Sequence, residues 1–213
     1  YNNIMDNFLH KGQLARGQQL IRACRQNDTP VLAYIHDFGK VDQQPQSSYS
    51  LIGNDEVEDI EYMYHRYKAY WAHNGKVDIF DAFNKLNRNY KNIMERCRAL
   101  DKRIYDDAVA AGDIHYAEIL SGAYRHVLAA HKLFEDNEGH LLYFSKENNS
   151  NGCVNTVDLT YPSAPLFLAY NPDLQKAMMT SIFEYSRSGR WTKPFAAHDL
   201  GTYPIANGQV YGG

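Results

Sequence analysis

Between residues 79 and 104 apolar side chains recur at alternating steps of four and three: Ile79, Phe83, Leu86, Tyr90, Ile93, Cys97, Leu100 and Ile104. This spacing predicts one amphipathic helix of about seven turns, ended at Gly112. A second stripe, Ala117, Leu120, Tyr124, Val127, His131 and Phe134, follows after a very short connection. Two helices so closely linked must run antiparallel as a helical hairpin. A third helix starts where Asn171 suits the cap, Pro172 the first position and Asp173 the positive end of the dipole. Its stripe is Leu174, Ala177, Met178, Ser181, Ile182 and Tyr185, with Gly189 just past the end.

The pattern before residue 72 is mixed. "TPVLAYIHDFGKV" (29–41) predicts a strand entered from Pro30 and left through Gly39. "VEDIEYMYHRYKAYW" (57–71) alternates in part and fits strand or helix. The turn "HNGK" (73–76) then marks a boundary, giving domains of 1–72 and 73–213. Between the second and third helices, residues 140–165 are mostly polar and irregular, with one short apolar run of strand type. The expected fold is mainly α, with long polar loops on a helical scaffold, and such loops are where function concentrates.

At 44% hydrophobic and 22% charged, the chain is of globular composition and can bury a core. A net charge of −3 gives no electrostatic case for a nucleic-acid or anionic-membrane partner. No apolar run approaches the ~20 residues of a membrane span. The 17 tyrosines suit a polar small-molecule surface or a wet domain interface. Cys24, Cys97 and Cys153 form no zinc or redox pattern and are expected as small buried hydrophobes.

Candidate chemistry lies in two loops, 144–162 and 195–213. Asp158 and Asp199 are the carboxylates that could share hydrolysis, one activating water and one protonating the leaving group. Glu147, Tyr161, His198, Tyr203 and Lys146 are candidate substrate contacts. Ser145 beside Lys146 is no nucleophile and base, because strand neighbours point to opposite faces. His131, on the apolar stripe, reads as a core histidine. No spacing for a metal, a phosphate loop, a G-x-S-x-G elbow or a dinucleotide fingerprint is present, so no cofactor is expected.

"YAEILSGAYRHVLAAHKL" (116–133), "FSKENNSNGCVNTVDLTYPSAPLFLAYNPDL" (144–174) and "KPFAAHDLGTYPIANGQVYGG" (193–213) closely resemble the six-helical-hairpin domain of the glutaminase A family. The resemblance runs from about residue 60 to the end, and the preceding region is similar to the tail of that family's β-sandwich domain. It implies a partial (α/α)6 toroid, hydrolysis of L-glutamine to glutamate and ammonia, and an exported, periplasmic or cell-surface protein of bacterial or fungal type. It also implies that this chain is the amino-terminal part of a longer domain, with the remaining hairpins as its partner and with apolar faces such as Leu174, Met178 and Ile182 left exposed. Two alternatives stand beside it: a glycoside hydrolase on the same scaffold, taking a sugar as its small-molecule substrate, and an inactive fragment or binding scaffold.

Overall fold

The computed structural model describes residues 2–13 and 34–211. The chain divides into two units, Tyr1–Leu51 and Ile52–Gly213. In the first, helix α1 (Asn2–Lys11) closes at Gly12, whose left-handed backbone lets its N–H reach the Phe8 carbonyl at 2.9 Å. Residues 34–41 of the predicted strand carry neither helix nor strand. Residues 29–33 and Cys24 lie outside the described residues.

The second unit opens with β1 (Ile60–Tyr62) and β2 (His65–Tyr67), an antiparallel hairpin across Met63 and Tyr64, both at positive φ. Two such residues in succession match the tight turn that follows strand twist. A 3-10 segment, Tyr70–Gly75, then leads into α2 (Ile79–Ala111). Asp78 caps α2 by accepting from the Asp81 N–H, and Asp113 caps α3 (Ile114–Ala129) by accepting from Tyr116. The Gly112–Asp113 link folds α3 back on α2, as the two stripes predict.

Two departures come from length and period. Helix α3 has 16 residues against the 33 of α2, so it covers only the C-terminal part of the stripe. Ile104 and Ala108 are buried, while Leu86, Leu100 and Cys97 are exposed, so Cys97 is not the buried hydrophobe expected. Helix α3 also stops before His131 and Phe134, which belong to β3 (His131–Glu135). From there alternation takes over, and β3 pairs antiparallel with β4 (Leu141–Ser145), the strand-type run of the sequence.

Helix α4 (Val157–Tyr170) stands where the sequence predicted irregular chain up to 165. Pro162 and Pro165 disguise it: each removes an N–H that would bond the carbonyl four residues back. Those carbonyls belong to Asp158 and Tyr161, both exposed residues, where water can replace the lost bonds. Helix α5 (Pro172–Arg187) follows after Asn171, completing a second helical pair. The expected exposure of Met178 and Ile182 is overturned: they are 0% and 5% exposed, and Leu174 is partly covered, because α5 packs on β4 and α4. Leu159, Tyr161, Leu168 and Phe183 are the exposed large apolar side chains of this pair.

β5 (Ile205–Ala206) joins β1 in parallel, giving the order β2-β1-β5. The terminal run is thereby anchored to the hairpin at residues 60–67. Ile60, Tyr62, Phe134, Leu142, Phe144, Val154, Tyr185, Leu200 and Ala206 share one buried cluster, so both strand groups, α5 and the terminal loop close a single core.

A fully buried side chain, Asn155, knits three of these elements. Its Oδ1 accepts from the Ser145 N–H at 2.7 Å and its Nδ2 donates to Ser181 Oγ at 2.8 Å, joining β4, the 146–156 loop and α5. Asn155→Ala strands the buried Ser145 amide, at a cost of roughly 1–3 kcal/mol. Urea denaturation of the variant should show that loss; an unchanged midpoint would remove Asn155 as a structural tie.

Asp136 organises the β3–β4 turn, accepting from the N–H groups of Glu138 and His140 and pairing with His140 Nδ1 at 3.0 Å. The hydrogen bond to Asp136 raises the His140 pKa, and burial, which alone would raise Asp136, is outweighed by those amides and the imidazole, so Asp136 is lowered. The His140 contribution is complete below about pH 6.5 and is lost as pH climbs through the raised value; that of Asp136 is complete above about 3.9 and is lost as pH falls through the lowered one. His140→Ala should therefore cost more melting temperature at pH 5.5 than at pH 8.5. Equal losses at both would refute the pairing.

Candidate functional site

The terminal loop is built around Asp199, which is 0% exposed. Its Oδ1 accepts from the N–H groups of Gly201 (2.9 Å) and Val210 (3.0 Å), and its Oδ2 from Tyr211 (3.1 Å). The fourth position holds His198 Nδ1, 3.0 Å from Oδ2. A carboxylate only accepts, so Nδ1 carries the proton, and in the neutral imidazole Nε2 then presents its lone pair. The loop can wrap this closely because Gly201 sits at φ +135°, where a Cβ would stand 2.2 Å from the Ile205 carbonyl oxygen. Tyr203–Pro204 is a cis peptide.

His198 is held from three further sides. Its N–H donates to Gln209 Oε1 at 2.7 Å, its carbonyl accepts from Val157 N–H at 2.9 Å, and its ring lies 4.7 Å from that of Tyr211. The bond to Val157 ties the loop to the first turn of α4. There Asp158, two-thirds exposed, places Oδ1 3.9 Å from Nε2. Nε2 has no hydrogen-bond partner among the described residues. The two carboxylates predicted as partners thus flank one imidazole, one sealed and one open. The 3.9 Å between Nε2 and Asp158 Oδ1 is too long for a direct hydrogen bond.

Cys153 lies beside Asp199. Burial and the Asp199 charge push its thiol up, which leaves it protonated and a poor nucleophile.

Lys146 and Tyr203 meet in a second neighbourhood. Lys146 Nζ lies 4.8 Å from the centre of the Tyr203 ring. The Tyr203 hydroxyl is bonded to Glu56 and receives Lys132 Nζ at 3.0 Å. Lys132 also reaches Glu56 at 2.7 Å and the buried Asp59 at 3.2 Å. Burial would depress the Lys132 ammonium, but Glu56, Tyr203 and Asp59 together hold it above its ordinary value. Burial likewise opposes the Glu56 charge, and Lys132 and Tyr203 outweigh it, so its pKa falls. Glu56, Lys132, Lys146 and Tyr203 border a cleft of about 200 Å³.

Glu147 turns into its own loop, accepting from Ser150 Oγ. Tyr161 is 81% exposed, one turn beyond Asp158. Ser145 is buried and bonded to Asn155, which fits its exclusion as a nucleophile. His131 stacks on Tyr143 at 4.7 Å, meets Phe167 edge-on at 5.4 Å and bonds the Val127 carbonyl.

Sequence spacing missed Lys132, Glu56 and Asp59, whose only signal was charge inside or beside apolar runs. It also missed the convergence of Asp136, His140 and Glu184, whose ligand-type atoms lie within 4.8 Å of one another. Among the described residues no helix is long and apolar enough to cross a membrane.

Two family models match the chain: a domain of unknown function (DUF5127) over residues 1–107, and the glutaminase A six helical-hairpin domain over residues 113–213. The first match ends inside α2 and the second begins at Asp113, the cap of α3. The chain is 31% identical over 215 aligned residues to "Glutaminase A" of Aspergillus oryzae, covering 96% of this chain and 30% of that protein. It is 31% identical over 127 residues to a "Probable glutaminase" of Arthroderma benhamiae, covering 58% of this chain and 14% of that protein. The chain thus spans less than a third of the length of either relative. No solved structure matches it. With residues 113–213 matching the six helical-hairpin domain of that family and a relative named for it aligned over 96% of this chain, the chain belongs to the glutaminase A family.

Proposed function

We propose that this chain supplies a hydrolytic site of glutaminase type, converting L-glutamine to L-glutamate and ammonia. One observation carries the proposal: an imidazole fixed by a buried carboxylate, with its other nitrogen free beside a second, open carboxylate. The homologues' names supply the reaction class. The helical pairs α2/α3 and α4/α5 are, in this proposal, the opening of an (α/α)6 toroid.

In the reaction His198 Nε2 takes a proton from water as the water oxygen attacks the carboxamide carbon. The imidazolium that forms is stabilised by Asp199 and faces Asp158. Collapse of the tetrahedral intermediate breaks the C–N bond, and the proton on Nε2 passes to the departing nitrogen, which leaves as ammonia. Asp199 orients the base and does not touch water, since its accepting positions are filled by three amides and His198. Asp158 positions the water. Tyr161, one turn beyond Asp158, borders the substrate.

The glycosidase alternative needs two carboxylates open to one water or sugar. The sealing of Asp199 weighs against it.

In the full-length protein, His198→Ala should lower ammonia release from L-glutamine by at least ~10²-fold in protein that remains folded. Asp158→Asn should lower it less, by about tenfold. Wild-type turnover in His198→Ala would eliminate the imidazole as the base.

A further inference from the structure

Beside His198 runs a groove of about 520 Å³ between α4, α5 and residues 193–196. Its volume is that of a small-molecule site, roughly 300–1,000 Å³. Val157, whose N–H holds the His198 carbonyl, lines one end, and Tyr161, a turn beyond Asp158, lines the wall. Met179, Ile182, Phe183 and Phe195 make the surface apolar.

Two polar atoms lie just beneath that surface, on residues that line the groove. Thr160 Oγ1 and Gln175 Oε1 are buried without hydrogen-bond partners, on residues only 3% and 8% exposed. Orphaned buried polar atoms are rare in folded proteins and call for a ligand group. Gln175 Oε1 accepts only, so it fits an amide N–H; the Thr160 hydroxyl can donate to an amide carbonyl. One charge lines the groove, Lys193, and no acid does.

We propose that this groove receives the acyl side of a glutamine whose α-amine is acylated by an apolar group, as in a peptide ending in glutamine. The acyl chain lies on the aromatic wall, its amide meets Thr160 and Gln175, and the α-carboxylate pairs with Lys193. Free glutamine gains less from the groove, because it lacks the acyl chain and its ammonium finds no acid among the lining residues. The inference rests on the hydrolase proposal for its reaction and on the groove alone for its ligand.

The test is calorimetric binding of N-benzyloxycarbonyl-L-glutamine and L-glutamine to the full-length protein carrying His198→Ala, where turnover is blocked. The acylated amide should bind at least about tenfold more tightly. Phe183→Ala and Phe195→Ala, at half-exposed and exposed positions, should each erode that affinity about fivefold, and Lys193→Gln should lower it and flatten its salt dependence. Equal or weaker binding of the acylated amide would overturn the inference. So would Phe183→Ala and Phe195→Ala variants that lose stability while binding is untouched, which would make the groove a packing surface. Ammonia release by the wild-type protein separates the two proposals: tight binding of the acylated amide without release from either compound would sink the hydrolase while leaving the amide site standing.

Discussion

The second unit turns on the burial of Asp199. A carboxylate withdrawn from water loses its hydration and must recover equivalent contacts from the protein. Here three backbone amides, from residues 201, 210 and 211, supply them, and each comes from the same loop. The loop therefore closes around its own charge. Because the remaining position is taken by the neighbouring imidazole, closing the loop and orienting His198 are one event. Loss of the carboxylate would release both.

The rest of the architecture keeps that loop in place. β5 adds to β1 beside a hairpin distant in sequence, and the loop carbonyls of Val154 and Gly201 trade backbone bonds with Leu200 and Val154. Lys132 forms a second seam, drawing Glu56, Asp59 and Tyr203 together from three parts of the chain. Half-buried ion pairs of this kind contribute modestly to stability, and their greater effect is on geometry. Together the two seams make an irregular segment as constrained as a strand, which a positioned base requires. The resulting order of parts is a rigid loop, an oriented imidazole, an open carboxylate and an adjoining groove.

What could be seen in the sequence follows from range. Stripes at helical period located α2, α3 and α5, since period is a local property. The cap and first-turn residues at 171–173 fixed the start of α5. Helix α4 was hidden because Pro162 and Pro165 read as breakers, although their lost bonds fall on exposed residues. The end of α3 was misplaced because His131 and Phe134 fit both a helical stripe and a strand, and only pairing with β4 decides between them. The loop residues 158, 198 and 199 stood out by composition, but their roles did not. Adjacent side chains such as His198 and Asp199 need not face each other, and only the turn at Gly201 makes them do so. Lys132 and its acids, drawn from positions 56, 59 and 203, could not be assembled from spacing at all.

The most direct test of this account is the tautomer of His198, read from nitrogen and proton NMR of the imidazole in the full-length protein near neutral pH. The account predicts a proton on Nδ1, slow to exchange because Asp199 holds it, with Nε2 bare, and loss of that protected proton in Asp199→Asn. A proton on Nε2 with Nδ1 bare, or an imidazole signal indifferent to Asp199→Asn, would contradict it.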